Sequence, residues 1–272
     1  MWLFYFLITI GIFLLLALYA VAPGHRRKAA PFDHTLYAHR GLHNNDGGIP
    51  ENSIAAFAAA VKAGYGVELD VQLTADHQVV VFHDNDLKRM CGVDSRVDEL
   101  TYAQLRDLRL LDSDEHIPLL SEVLEVLNGC TLLCEFKAMR SYTDTTLCEI
   151  ALSLLDAYAG AVCIESFNPF MVRWFRKHAP NYIRGILSKR FEKGEVAQAL
   201  RFPLASLFCN WLCRPDFIAY QHTDHAQPFL RLCRLFRPMT VAWTVRSPIE
   251  ENAAKKHFDT IIFESYLPSK NT

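Results

Sequence analysis

YAHRGLHNNDGGIPENSIAAFAAAVKAGYGVELDVQLTADHQVVVFHD, residues 37–84, decides how this chain is read. Val67-Glu68-Leu69-Asp70-Val71-Gln72-Leu73 alternates with period two, so a strand carries Glu68, Asp70 and Gln72 on one face and the aliphatic residues on the other. Two carboxylates side by side repel each other unless a cation or protons sit between them. His39 ends the apolar run Leu36-Tyr37-Ala38, and His83 ends Val79-Val80-Val81-Phe82. Both are thus delivered at strand ends, where α/β enzymes hold reactive groups. Between them, Asn44-Asn45-Asp46-Gly47-Gly48 is turn chemistry. Asn52 or Ser53 can cap a helix with Ile54, Phe57, Ala58 and Val61 on its apolar face and Gly64 as its stop. Two histidines, an acidic pair and Arg40 suit chemistry at phosphorus: acid and base, a divalent metal, and a cation for phosphate oxygens.

Outward from this stretch the chain alternates strand-like and helix-like segments. Residues 84–118 form a helical excursion, with a capped start at Leu100-Thr101-Tyr102 and with Pro118 ahead of a helix that runs through Leu127. Strands are predicted over 131–135, 161–165, 183–187, 204–208, 217–220, 240–245 and 260–263, with helices to about residue 158, over 171–178 and over 196–200. The alternation predicts an α/β fold, a TIM-type (β/α)8 barrel; an open doubly wound sheet has no Gly-rich nucleotide loop to recommend it. The 272 residues suffice for one such barrel, which takes roughly 250, and 51% hydrophobic composition supplies a core. A net charge of -2 gives no support to a nucleic-acid surface, and no nucleic-acid partner is expected. The eight cysteines include Cys130/Cys134 and Cys209/Cys213, spaced more widely than CxxC, and read as buried free thiols in a reducing compartment.

Trp2 to Ala22 contains no charged residue. As a helix it spans roughly 30 Å, about one bilayer core, with Trp2, Tyr5 and Tyr19 as interfacial anchors. It lacks the basic n-region of a signal peptide, so an uncleaved single-pass anchor is expected. His25-Arg26-Arg27-Lys28 follows the span, which by the positive-inside rule places the body on the cytoplasmic side. The expected organisation is an anchor at 1–24, a tether at 25–34 and a catalytic barrel at 35–272.

His39-Arg40-Gly41, Pro50-Glu51-Asn52-Ser53, Glu68-Leu69-Asp70-Val71 and His83-Asp84 resemble the ordered signature of the glycerophosphodiester phosphodiesterases. The resemblance continues through Ile117-Pro118-Leu119-Leu120, Glu135-Phe136-Lys137, Ser166-Phe167-Asn168 and Trp243-Thr244-Val245, and so covers roughly residues 36–268. It implies a membrane-anchored, bacterial-type family member that hydrolyses glycerophosphodiesters to glycerol 3-phosphate and an alcohol, with His39 and His83 as the acid/base pair, His39 assigned as base and His83 as acid. Glu68, Asp70 and Glu135 are the expected metal ligands; an all-oxygen set points to one hard cation, Mg²⁺ or Ca²⁺. Arg40 and Lys137 are expected to bind phosphate oxygens. Glu51 and Asn52 are candidate supporting residues, and Trp243 is either interior packing or a wall for the glycerol end. His43 stays unassigned, and the remaining histidines read as structural. In one departure, the family's usual Ile-Thr-Asp-x-Pro ending of the last strand is here Ile262-Phe263-Glu264-Ser265-Tyr266-Leu267-Pro268. Two alternatives share these residues: a lysophospholipase D acting at the membrane, and a catalytically inactive, membrane-anchored binding barrel.

Overall fold

Val67, Leu69, Val71 and Leu73 do share one face, packed against helices, while Glu68 and Asp70 point the other way into a barrel. The computed structural model describes residues 1–24, 32, 35–138 and 141–269. Strand β1 (Tyr37–Ala38) pairs in parallel with β2 (Gly66–Leu73). Next to β2 stand β4 (Leu132–Phe136), β5 (Val162–Ser166), β6 (Ile183–Ser188), β7 (Phe217–Gln221), β8 (Met239–Val245) and β9 (Thr260–Phe263), and β9 pairs back to β1. Of nine strands among the described residues only β3 (Val79–Val81) is antiparallel, hung on β2 through Val71 and Val81, which leaves eight parallel strands in a closed barrel. Closure buries both faces of every strand, so β2 is buried from end to end, including its two acids.

Helices cover the outside: α2 (Ile54–Lys62), α5 (Leu120–Leu127), α6 (Thr146–Asp156), α7 (Pro169–His178), α8 (Gln198–Ala205), α9 (Asn210–Cys213), α10 (Pro228–Cys233) and α11 (Pro248–Ala254). Ser53, not Asn52, caps α2: its Oγ accepts from the Ala56 amide. The excursion after His83 contains the short helices α3 (Lys88–Cys91) and α4 (Tyr102–Arg106) and has its own small core around Phe82, Leu87, Leu105 and Ile117. The strand expected over 204–208 is absent; those residues end α8 and the turn after it. Leu204 enters the core there, and the Ser206 hydroxyl donates back to the Phe202 carbonyl. A five-residue apolar run has no periodicity to separate helix from strand, and the barrel closes without it.

Two apolar layers result. One lies between sheet and helices. The other fills the barrel with Tyr37, Leu133, Cys163, Phe217, Val241 and Ile262. All eight cysteines are free, six of them buried.

The apolar helix α1 (Trp2–Val21) is exposed over most of its length and is long and apolar enough to cross a membrane. Its last turn docks on the barrel. Asn210 Nδ2 donates to the Val21 carbonyl at 2.8 Å, and Arg214 Nη1 donates to Tyr19 and Ala22 at 2.9 and 2.7 Å. These bonds satisfy carbonyls that a helix end leaves unpaired. Residues 25–31, 33 and 34, which hold most of the expected tether and the basic flank, lie outside the described residues.

Candidate active site

The interior residues at the lower layer of the barrel predict the site by period two. Two residues after Tyr37, Leu133, Cys163, Val241 and Ile262 come His39, Glu135, Glu165, Trp243 and Glu264, all projected to the C-terminal mouth. Strand register places Asp70 beside Glu135 and Glu135 beside Glu165, a row of carboxylates across three neighbouring strands.

Glu68, Asp70 and Glu135 are buried, and each brings an oxygen within 4.8 Å of the others. Burial, then the charges of Asp70 and Glu135, pushes the Glu68 carboxyl well above the usual range. Burial would raise Asp70 as well, but Lys137, His83 and Arg40 outweigh it and hold Asp70 well below. Lys137 Nζ lies 2.7 Å from both Asp70 Oδ1 and Glu135 Oε1; burial, opposed by Lys137, still keeps Glu135 raised. Glu165 is raised by burial and by Glu135, and its Oε2 is buried with no hydrogen-bond partner. A cluster of oxygen donors this destabilised by like charge fits a hard divalent cation, which would be held by Glu68, Asp70 and Glu135.

Each of the two predicted histidines leans on a carboxylate. His39 Nδ1 lies 2.5 Å from Glu264 Oε2, and since a carboxylate only accepts, Nδ1 carries the proton and Nε2 keeps its lone pair. Burial, opposed by this bond to Glu264, lowers His39 to about 4, so the imidazole is neutral at pH 7. Its Nε2 is 3.9 Å from Glu68 Oε2, which sets the basic nitrogen over the acidic cluster. His83 Nδ1 donates to Asp84 Oδ1 at 2.6 Å, and Arg89 Nε holds the other Asp84 oxygen at 2.6 Å. Gln72, on the face of β2 that carries Glu68 and Asp70, donates at 2.8 Å to the carbonyls of Phe82 and Asp84 and so fixes the turn around His83.

Arg40 has a left-handed backbone (φ 53), as does Gly41 after it (φ 80). This kink lets the Arg40 amide donate to Glu68 Oε2 at 3.0 Å while its guanidinium reaches Glu51 at 2.6 Å and Asp70 at 3.3 Å. A Cβ on Gly41 would lie 2.7 Å from the Ala56 carbonyl carbon, so the position needs glycine for space as well as for φ. Glu51 also takes two bonds from Arg89, at 2.7 and 2.9 Å. Although burial alone would raise it, Arg89 and Arg40 hold Glu51 at about 2. Asn52 Nδ2 donates to Asp70 Oδ2 at 2.9 Å. Trp243 stands half-buried at the rim, edge-on to Phe167 with 5.5 Å between ring centroids.

The structure thus brings the charged and polar candidates together in two sets, a carboxylate cluster with its cations and two carboxylate-held histidines, while Trp243 meets Phe167 rather than either set. Sequence reasoning assigned no role to Glu165, Asp84, Arg89 or Glu264. Glu165 ends an apolar strand as Glu135 does, and that was its signal. Glu264 was visible only as a departure from the usual last-strand ending. The departure is the His39 partner itself: the longer side chain spans from His39 to Arg246 Nε, 2.5 Å from its other oxygen, with His43 Nε2 3.8 Å away.

Fold and site together define a (β/α)8 barrel with two carboxylate-held histidines and a buried acidic cluster that could hold a metal at its strand ends. The chain belongs to the glycerophosphoryl diester phosphodiesterase family, which it matches over residues 39–262. It is 32% identical over 284 residues to glycerophosphodiester phosphodiesterase 1 of Rattus norvegicus, covering 92% of this chain and 85% of that one. It is 36% identical over 150 residues to a Homo sapiens lysophospholipase D, but spans only 47% of that protein's length and 49% of its own. A crystal structure of a glycerophosphodiester phosphodiesterase from Parabacteroides distasonis superposes with a TM-score of 0.65 at 25% identity, covering 85% of this chain and 93% of that chain.

Proposed function

We propose that the protein is a metal-dependent phosphoric diester hydrolase that cleaves glycerophosphodiesters to glycerol 3-phosphate and an alcohol. The observation that carries this reading is the neutral His39, tautomer-locked by Glu264, with its free nitrogen beside a carboxylate triad fit for a divalent cation. Mg²⁺ or Ca²⁺ bound by Glu68, Asp70 and Glu135 would draw charge from the phosphoryl oxygens. Arg40 and Lys137 hold the same oxygens, released in part from Glu51, Asp70 and Glu135 as the anion arrives. His39 Nε2 takes the proton of the attacking oxygen, from water or from the neighbouring glycerol hydroxyl. As the P–O bond to the alcohol breaks, His83, oriented by Asp84, gives that oxygen a proton. Trp243 and Phe167 offer an apolar wall to the organic end of the substrate.

The chain divides into an anchor at 1–24, a tether at 25–34 and the catalytic barrel at 35–272, with the barrel on the cytoplasmic side of a single span. The test follows release of head group from glycerophosphocholine by the full chain in detergent, with EDTA and with added Mg²⁺ or Ca²⁺. Metal-dependent turnover lost in His39→Ala and His83→Ala supports the reading; full activity in either variant refutes the role given to it. A second reading keeps the chemistry and changes the substrate: docking of α1 on the barrel favours a lipid that retains one acyl chain. Lysophosphatidylcholine in the same assay separates the two, and a barrel that turns over neither is a binding module.

A further inference from the structure

Around the docked end of α1, the barrel's flank is chemically one-sided. Three segments form it: α7 with Ala179, residues 198–214, and residues 228–238. Every charged residue in them is Arg or Lys, with no Asp or Glu, although the whole chain carries a net charge of -2. Lys177, Arg231 and Arg237 are exposed. The large apolar side chains that the barrel itself exposes concentrate here too: Phe202 at 57%, Trp211 at 54% and Leu235 at 70%.

These groups are set close to the apolar helix. Tyr19 of α1 shares a groove of about 350 Å³ with Trp211, Leu212, Arg173, Arg176 and Lys177. The Arg214 guanidinium sits 4.3 Å from the Tyr19 ring centroid. Asn210 hydrogen-bonds Val21 and lies 3.8 Å from Cys233 Sγ, two residues before Leu235. An aromatic path also leads inward: Tyr142 packs on Phe170, its hydroxyl donates to the Phe167 carbonyl, and Phe167 meets Trp243 at the site.

We infer that this flank of the barrel lies on a bilayer rich in anionic phospholipid, with the barrel docked against the membrane rather than swinging from a tether. The inference rests on the reading of α1 as a membrane span. Two physical arguments carry it. The bonds from Asn210 and Arg214 make the emerging helix continuous with the barrel, so any bilayer that takes α1 is brought against the surface around its last turn. That surface mixes Trp and Phe with Arg and Lys, and Asp216, the acid that borders it beside Gly24, is buried and ion-paired with Arg184, which matches the headgroup region of an anionic leaflet. A protein partner of opposite charge would leave the exposed apolar helix beside it unexplained.

The test uses the full chain reconstituted into vesicles of phosphatidylcholine with phosphatidylglycerol. The four tryptophans are reduced to one, Trp211, by Trp2→Phe, Trp174→Phe and Trp243→Phe; a companion protein keeps Trp2 alone. Acyl chains brominated near the headgroup quench a tryptophan that reaches them. The expected result is loss of most Trp211 emission, made smaller when Lys177, Arg231 and Arg237 are changed to Gln or phosphatidylglycerol is omitted. Quenching of Trp2 with Trp211 unaffected would overturn the docked flank and leave the anchor standing. With neither quenched, the anchor reading falls and this inference with it. Quenching of Trp211 that ignores both charge changes would overturn the preference for anionic lipid.

Discussion

Glu264→Gln is the most informative single change. It keeps the size of the side chain and removes the charge that fixes His39. A charge-assisted hydrogen bond of this kind is worth about 1.5–3 kcal/mol, or roughly 10- to 150-fold in rate if it is realised only in the transition state. The amide adds a second penalty, because its N–H can donate to Nδ1, move the imidazole proton to Nε2 and block the basic nitrogen. Both effects together should lower kcat on the order of 10²- to 10³-fold, within the range general acid–base catalysis spans. KM should move little, since Glu264 binds His39 and Arg246 rather than the phosphate cations. The sign of the pH effect also follows. Burial lowers His39 and Glu264 raises it, with a net position of about 4. Without that carboxylate the acidic limb of kcat/KM should move to still lower pH, a shift that looser packing alone does not produce. Glycerol 3-phosphate release from glycerophosphocholine across a pH series reads both quantities, and Glu264→Asp, which keeps the charge, should lose less. Wild-type kcat in Glu264→Gln would refute the tautomer argument.

Removing the cation with EDTA should abolish turnover without changing the far-ultraviolet circular dichroism, and adding it back should raise Tm, because binding relieves repulsion among Glu68, Asp70 and Glu135. Glu68→Gln should weaken both the rescue and the Tm gain. Lys137→Met removes a buried ammonium from between Asp70 and Glu135; activity should fall by at least about 10²-fold, the scale of one lost charge stabiliser, as initial rates would show. Glu51, held at about 2 against an ordinary 4.5, binds fewer protons folded than unfolded. Its contribution is complete above about pH 4.5 and is lost as pH falls through about 2, so the slope of Tm against pH in that window should flatten in Glu51→Gln. Gly41→Ala should destabilise by more than about 1 kcal/mol in denaturant unfolding, since it meets both a positive φ and the Ala56 backbone.

The sequence by itself determined the barrel, the strand-end placement of His39 and His83, and the outward and inward faces of β2. Period two is a local property, and the alternation of strand with helix admits few topologies. It also marked Trp2 to Ala22 as one apolar span. The 204–208 segment was misread because a short apolar run looks alike as strand or helix until its neighbours claim one face of it. Only the tertiary structure decided which carboxylate serves which cation. Glu264 reaches His39 from 225 residues away because closing the barrel brings the last strand beside the first, and Arg89 reaches Glu51 across 38 because the excursion after β3 folds back over the β1–α2 loop. Pairings of that kind depend on where the sheet closes, and no local pattern encodes the distance between two side chains that meet only when the eighth parallel strand bonds to the first.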